Sequence, residues 1–345
     1  MPSNDLIVVI DSGTTNSRVR LVQDGTMIGG ASEQIGVVET TKTGSNVPLK
    51  QGIRRAFEAV LREHRISFQD IHYALGFGMI TSELGVLEIP HLIAPVGIQE
   101  LARSMVRLEG GSHFLPLPVH FIRGVKNRVP SYSQLQSLPS MDFMRGEETQ
   151  VMGLVTLYKP SLPTLIVILS SHTKLISIDA EGYIQGSVTT LSGQLFAAIC
   201  RETFVASAVR EEPGDPGPAG FFDPAIVEEG YRIVTTSGLT RALLMPRFMH
   251  ILMKTHWYER RLFLESLLAG EDMRALQDII NLEFPNPTSI YLVGLPLRCA
   301  VYRYLMETHQ IFKGPAIEIT EPEAIERLGV IGALEIFKRR NSDLI

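Results

Sequence analysis

The first apolar run of the chain, Leu6-Ile7-Val8-Val9-Ile10, ends in an acid and a cluster of small polar residues, Asp11-Ser12-Gly13-Thr14-Thr15-Asn16. Apolar alternation resumes with Arg18-Val19-Arg20-Leu21. A turn of this composition can face its backbone N–H groups outward with hydroxyls beside them, a nest that suits phosphate oxygens. An acid at the strand end can hold Mg²⁺, mostly through water, because that ion takes oxygen ligands and dehydrates reluctantly. A plain hairpin turn with a solvated Asp explains Gly13. It does not explain the order hydroxyl, glycine, hydroxyl, hydroxyl, amide behind an acid.

Three further stretches carry polar chemistry at element ends. Met144-Arg145-Gly146-Glu147-Glu148-Thr149-Gln150 sets two acids, a guanidinium and an amide around a glycine. Acids in a first helical turn also suit the helix dipole with no chemistry attached. Gly76-Phe77-Gly78-Met79, continued by Ile80-Thr81-Ser82-Glu83, follows a strand. It reads either as a connector or as a place for a small substrate, with Met79 as packing. Ser170-Ser171-His172-Thr173-Lys174 is a polar loop whose lysine is either a surface charge or a point charge for phosphate. His64, His72, His91, His256 and His309 have no partners at ligand spacing, so no metal cluster is expected. Neither GxxxxGK[ST] nor a helix-opening GxGxxG is present.

These loops need elements to hold them. A length of 345 residues suggests two domains, and 45% hydrophobic with 20% charged residues supports a sizeable core. The net charge of −5 offers no basic excess for a nucleic-acid backbone. Cys200 and Cys299 are isolated, so neither a disulfide framework nor a cysteine zinc site is expected, and both read as buried thiols of a reducing cytosol. No apolar run approaches the ~20 residues of a membrane span, and no signal-peptide pattern precedes the first strand. The expectation is a cytoplasmic protein with no membrane partner.

Strands are expected at 6–10, 17–23 and 26–30, with Asp24-Gly25 as a hairpin turn. Ile53, Phe57, Val60 and Leu61 give a helical period over 50–64. A strand at 71–75, a helix over 99–108 and a strand at 119–122 follow. Residues 123–142, rich in Ser and Pro, read as a linker or mobile segment. A helix opens at 145 and runs through 157. Strands at 165–169, 175–179 and 183–188 precede a helix at 192–204 and a loop at 211–220. Helices at 226–238, 240–253, 258–269 and 271–281, a strand at 289–293 and helices at 297–308 and 321–339 complete the chain. Each half begins strand, polar turn, strand and ends in helices, a coarse duplication.

Residues 11–16 resemble the first phosphate loop of the actin, sugar-kinase and Hsp70 superfamily. The stretch MRGEETQ closely resembles the signature of one family in it, the 2-dehydro-3-deoxygalactonokinases. Gly76 to Gly85, Thr190-Leu191-Ser192-Gly193, residues 264–269 and Val293-Gly294-Leu295-Pro296-Leu297 fit the same family in order. The resemblance implies an α/β fold of two similar ribonuclease H-like lobes with an interlobe cleft. It places an N-terminal lobe at 1–143 and a C-terminal lobe at 144–345, with the last helix packing near the cleft base or back on the first lobe.

The activity so implied is ATP-dependent phosphorylation of the terminal hydroxyl of 2-dehydro-3-deoxy-D-galactonate, a step of galactonate degradation. The alternatives are a kinase for another 2-keto-3-deoxy sugar acid and a catalytically weak nucleotide-binding regulatory relative. ATP, Mg²⁺ and the sugar acid are the expected ligands, nucleic acid is not, and a homodimer is allowed. By the resemblance Asp11 holds hydrated Mg²⁺, while Ser12, Gly13, Thr14, Thr15 and Asn16 cradle ATP phosphates. Ser171, Thr173, Lys174 and Gly294 meet the nucleotide from the other lobe. Glu147 or Glu148, with Asp11 as fallback, takes the proton of the sugar hydroxyl. Arg145 and Arg18 meet the substrate carboxylate, and Gly78, Met79, Thr81 and Ser82 line the sugar site. Two departures stand out. Ser170 and Leu175 replace a glycine and a tryptophan of the family's second phosphate loop, and Leu295-Pro296 replaces small hydroxylated residues. If the glycine served a positive φ, Ser170 strains the loop and Ser170→Gly should tighten ATP. If Ser170 instead sits at ordinary angles and its hydroxyl makes a phosphate contact of its own, Ser170→Gly should weaken ATP.

Overall fold

The computed structural model describes residues 5–111, 114–282, 284–312 and 314–342, with side chains not described at 277–281, 341 and 342. The start of the chain, on which the absence of a leader was read, lies outside the described residues at 1–4. Two units are formed. The first holds residues 1–160, 182–186 and 326–345, and the second holds 161–181 and 187–325.

In the first unit, β1 (Leu6–Ser12), β2 (Ser17–Gln23) and β3 (Thr26–Glu33) make an antiparallel meander. Helices α1 (Val37–Thr43) and α2 (Val47–His64) lead to β4 (Tyr73–Gly78), which returns parallel to β1. The residues of β1 from Ile7 to Ile10 are fully buried, as expected of a strand covered on both faces. Val8, Ile10, Val19 and Leu21 pack with Leu49, Ile53, Phe57 and Val60 of α2, so the helical period read from the sequence is the core-facing stripe. After the short β5 (Leu92–Ile93) and α3 (Ile98–Arg103), β6 (Val106–Leu108) and β7 (Val119–Phe121) extend the sheet to the order β3-β2-β1-β4-β7-β6. The strands β8 (Val125–Lys126) and β9 (Phe143–Met144) join β5 in a separate small sheet, and α4 (Glu147–Tyr158) follows.

In the second unit β10 (Thr164–Leu169), β11 (Thr173–Ile178) and β12 (Ile184–Thr190), whose residues up to Gly186 count with the first unit, repeat the meander. Next come α5 (Ser192–Glu202), α6 (Ala206–Val209), α7 (Pro224–Ser237), α8 (Leu239–Ala242), α9 (Met245–Phe248) and α10 (Trp257–Asn281). The strand β13 (Ser289–Gly294) lies parallel to β10, α11 (Pro296–Thr308) crosses over, and β14 (Ala316–Ile319) completes the order β12-β11-β10-β13-β14. Both sheets thus run antiparallel meander, then parallel strand on the free side of the first strand. The duplication read from the sequence is a duplication of fold. The chain ends in α12 (Pro322–Ser342), whose residues from Glu326 onward count with the first unit.

The first unit runs on through Pro160, so α4 counts with it. The reason is local: a Cβ on Gly153 of α4 would sit 1.8 Å from the Leu328 carbonyl oxygen, and one on Gly332 of α12 equally close to that of Thr149. Backbone contact this tight ties α4 to α12 in the first unit. Several expectations are corrected. The helix expected over 99–108 stops at Arg103, because Val106-Arg107-Leu108 alternates as an edge strand against β7. Residues 123–142 are no free linker: Asn127 is buried, and its amide donates to the Ser140 carbonyl. The helices expected at 258–269 and 271–281 are one, α10, since Gly270 lies inside it under Val234 and Tyr231 of α7. The helix expected over 240–253 breaks into α8, α9 and a π-turn at Met249–Met253.

Candidate active site

In the first unit, register sets the phosphate-loop candidate. Asp11 pairs with Arg18 and Ser12 with Ser17 across β1–β2, while Ser12 pairs with Gly78 across β1–β4. The Gly13 N–H donates to the Asn16 carbonyl at 2.8 Å and closes the turn. The carbonyls of Gly13 and Thr14 accept from Val37 and Val38 at the start of α1, 3.3 and 3.0 Å away. No acceptor among the described residues takes the N–H of Thr14, Thr15 or Asn16. The loop therefore anchors itself by its carbonyls and leaves three donors uncommitted. Ser12 does not join them. Its hydroxyl is buried and meets Ser17 Oγ at 2.9 Å, and Ser17 in turn donates to the Ile35 carbonyl.

Two glycines bring the other motifs to this strand end. Gly78 has φ 87° and Gly146 φ 107°, a region that side chains with a Cβ rarely adopt. A Cβ on Gly78 would lie 2.6 Å from the Ser12 carbonyl oxygen, and one on Gly146 would lie 3.2 Å from the Gly78 Cα. The loop after β4 and the turn before α4 are thus layered on the end of β1.

Within these layers the expected substrate groups sort into two sets. Arg145 is committed inward: Nη1 donates to Thr81 Oγ1 at 2.8 Å and Nη2 to the Ile89 carbonyl at 2.8 Å, with His91 Nδ1 at 3.5 Å. Thr81 and Ser82 are buried and donate to the carbonyls of Gly78 and Met79, so their hydroxyls build the loop rather than face a ligand. Met79 packs against the core, as its side chain suggests. Glu148 is fully buried. Both its oxygens accept from the Gly146 N–H and one accepts from Thr149 Oγ1, yet burial and neighbouring Glu147 push it up to about 8. The second set is open. Asp11, about a third exposed, holds Arg18 at 3.1 Å. Its carboxyl is raised by desolvation, which the Arg18 guanidinium partly offsets. Glu147 accepts from the Arg145 N–H through Oε2 at 3.1 Å, and its Oε1 has no partner among the described residues.

In the second unit the loop between β10 and β11 carries the other candidates. Ser170 N–H donates to the His172 carbonyl at 3.1 Å. Among the described residues, the non-glycine positions with positive φ are Asp24, Arg65, Lys159, Lys254 and Gln310, so Ser170 sits at ordinary angles and the strained alternative falls away. Ser171 is exposed, with its hydroxyl 3.2 Å from His172 Nδ1. Its carbonyl accepts from Gln194 N–H of α5 at 2.7 Å. Gly193 is fitted here, since a Cβ would meet the Ser170 carbonyl oxygen at 2.0 Å. Thr173 and Lys174 are buried in β11 rather than open on the loop, and Thr173 Oγ1 meets Tyr302 OH at 3.2 Å. Gly294 ends β13 beside Leu169, where a Cβ would lie 2.6 Å from the carbonyl oxygen. Sequence reading missed Glu265, Asp272, Arg298 and Tyr302, buried polar residues behind this loop. Their signal was polar side chains on otherwise apolar helix faces, at spacings of seven on α10 and four on α11.

Two α/β units of like topology, each with a polar loop after its first strand, define the actin-like ATPase and sugar-kinase fold. The 2-keto-3-deoxy-galactonokinase family model matches residues 11–321, and the chain belongs to that family. A curated protein of Rhizobium meliloti (strain 1021), named as a candidate 2-dehydro-3-deoxygalactonokinase, is 23% identical over 62% of this chain. That match spans 63% of the relative's own length, just under two thirds. A crystal structure of a candidate 2-dehydro-3-deoxygalactonokinase from Sinorhizobium meliloti is similar with TM-score 0.70 at 20% identity, covering 96% of this chain and 97% of the other. Component A of the (R)-2-hydroxyglutaryl-CoA dehydratase of Acidaminococcus fermentans is similar with TM-score 0.53 at 11% identity, covering 98% and 99%. Both structures bear on the fold. No helix among the described residues is long and apolar enough to cross a membrane.

Proposed function

We propose that the protein transfers the γ-phosphoryl group of ATP to the terminal hydroxyl of 2-dehydro-3-deoxy-D-galactonate, giving ADP and the 6-phosphate in the cytoplasm. Family membership supports the substrate class. One geometric observation carries the site: Gly146 is layered on Gly78, and Gly78 on the Ser12 end of β1, beside Asp11.

Phosphoryl transfer asks a protein for positioning and charge neutralisation. The uncommitted N–H groups of Thr14, Thr15 and Asn16 take phosphate oxygens in this reading. Asp11, whose Oδ2 holds Arg18 while Oδ1 has no partner among the described residues, fits Mg²⁺ as a single carboxylate, since an ion that keeps most of its water needs no cluster of protein ligands. Bound there, Mg²⁺ supplies positive charge against the phosphates. Glu147 is the base, because its Oε1 is free to accept the hydroxyl proton while both oxygens of Glu148 are taken. The sugar oxygen then bonds to the γ-phosphorus, and the bond to the bridging oxygen of ADP breaks. Arg18 meets the substrate carboxylate, for which a planar guanidinium is suited, and Arg145 positions the loop instead.

The test is ADP release with Mg²⁺ and a panel of 2-keto-3-deoxy sugar acids. Highest kcat/KM on 2-dehydro-3-deoxy-D-galactonate supports the proposal. A different preferred acid would change the substrate, and turnover on none would favour the regulatory relative.

A further inference from the structure

Behind the loop of the second unit lies a buried polar construction that no step above uses. Glu265 and Asp272 stand seven residues apart on α10, two turns along one face. Arg298 and Tyr302 stand four apart on α11, also on one face. All four are nearly inaccessible. Glu265 Oε2 holds Arg298 Nε at 3.3 Å, and Arg298 Nη1 donates to the Ser170 carbonyl at 2.9 Å. Asp272 Oδ2 accepts from Tyr302 OH. The single proton of Tyr302 is thereby committed, so in its 3.2 Å contact Thr173 Oγ1 must be the donor. Asp272 Oδ1 accepts from Ser192 Oγ at 2.5 Å, and Thr190 Oγ1 donates to Ser192 by the same count. Each acid on α10 thus reaches one end of the loop through a residue of α11: Ser170 through Arg298, and Thr173 through Tyr302.

Burying ionised groups is expensive, and apolar residues of like volume would stabilise the same helix pair at least as well. Stability alone does not account for the arrangement, whereas its end points do: one is the Ser170 carbonyl on the loop and the other the Thr173 hydroxyl, where β11 leaves it. We propose that Glu265, Asp272, Arg298 and Tyr302 are positioning residues that fix the loop at 170–173 and so set its grip on the phosphates of ATP. This rests on the reading of that loop as the second nucleotide-phosphate site. Burial and the Asp272 carboxylate hold the Tyr302 hydroxyl well above its usual range, so Tyr302 keeps its proton across ordinary pH.

Tyr302→Phe removes one oxygen and keeps the packing, and Asp272→Asn removes the charge and keeps the shape. For each variant and the wild type we would measure the ATP Kd by calorimetry with Mg²⁺, and KM for ATP and for 2-dehydro-3-deoxy-D-galactonate. The expected result is a rise of about 3- to 10-fold in ATP Kd and KM, the worth of one hydrogen bond, with sugar-acid KM within about twofold. Unchanged ATP constants in folded Tyr302→Phe would overturn the bracket, as would an equal rise for both substrates. Absent turnover in the wild type would count against the proposed reaction, while the ratio of ATP dissociation constants decides the bracket by itself.

Discussion

A Cβ added to Gly146 would sit 3.2 Å from the Cα of Gly78, and both residues have positive φ. The turn that carries Glu147 is therefore seated on the loop that borders Asp11. Gly146→Ala must strain its own backbone and lift that turn. A displacement of about 1 Å near reacting groups can cost on the order of 10²-fold. We expect kcat/KM to fall about 10- to 100-fold by this argument, with the far-ultraviolet circular dichroism unchanged. Steady-state kinetics of Gly146→Ala checks it, and an unaltered kcat/KM would separate the turn from the chemistry.

The α4–α12 crossing is a prediction about stability. A Cβ at Gly332 would fall 1.8 Å from the Thr149 carbonyl oxygen, so the helices must part. Gly332→Ala should cost about 1–3 kcal/mol, the usual toll of overpacking. Urea unfolding reads this directly, and a midpoint equal to wild type would show that the helices separate freely.

Glu148 predicts a pH dependence. Its carboxyl is raised from 4.5 to about 8, so between those values the folded chain keeps a proton that the unfolded chain has released. That contribution is fully present below the unfolded value and is lost as pH rises through about 8. Glu148→Gln stays neutral and should flatten the fall in Tm between about pH 5 and about pH 9. Thermal melts across that range check it, and parallel profiles for the two proteins would remove Glu148 as the cause.

Ser170→Gly should not tighten ATP, because Ser170 carries no positive φ to relieve. The substitution frees the loop backbone, so ATP binding should weaken by at most about 1 kcal/mol. Calorimetric Kd values at fixed Mg²⁺ decide, and tighter binding would contradict the loop geometry.

Much of this was legible in the residues. β1 with the turn behind Asp11, the start of α4 and the repeated meander all announce themselves through local composition. Which side chains stay open was not legible. Thr173 and Arg145 have the right chemistry for ligands, but their partners lie far along the chain, and only tertiary packing shows that those groups are spent. The hydroxyls of Thr81 and Ser82 turn back to carbonyls three residues earlier, which composition alone does not show. Asp272 was invisible for the same reason, since its partners Ser192 and Tyr302 are 80 and 30 residues away. The short strand β6 lost to a helical reading because three alternating residues carry too little pattern.

The central claim is transfer to the terminal hydroxyl of the sugar acid. The most direct test is a phosphorus–proton NMR correlation on the product formed from Mg²⁺-ATP and 2-dehydro-3-deoxy-D-galactonate, run beside Glu147→Gln. The account predicts a phosphomonoester coupled to the C6 methylene protons. It also predicts formation slowed in the variant by about 10²–10⁴-fold, the usual worth of a general base. Free phosphate alone, a phosphate on another carbon, or equal rates in the two proteins would contradict it.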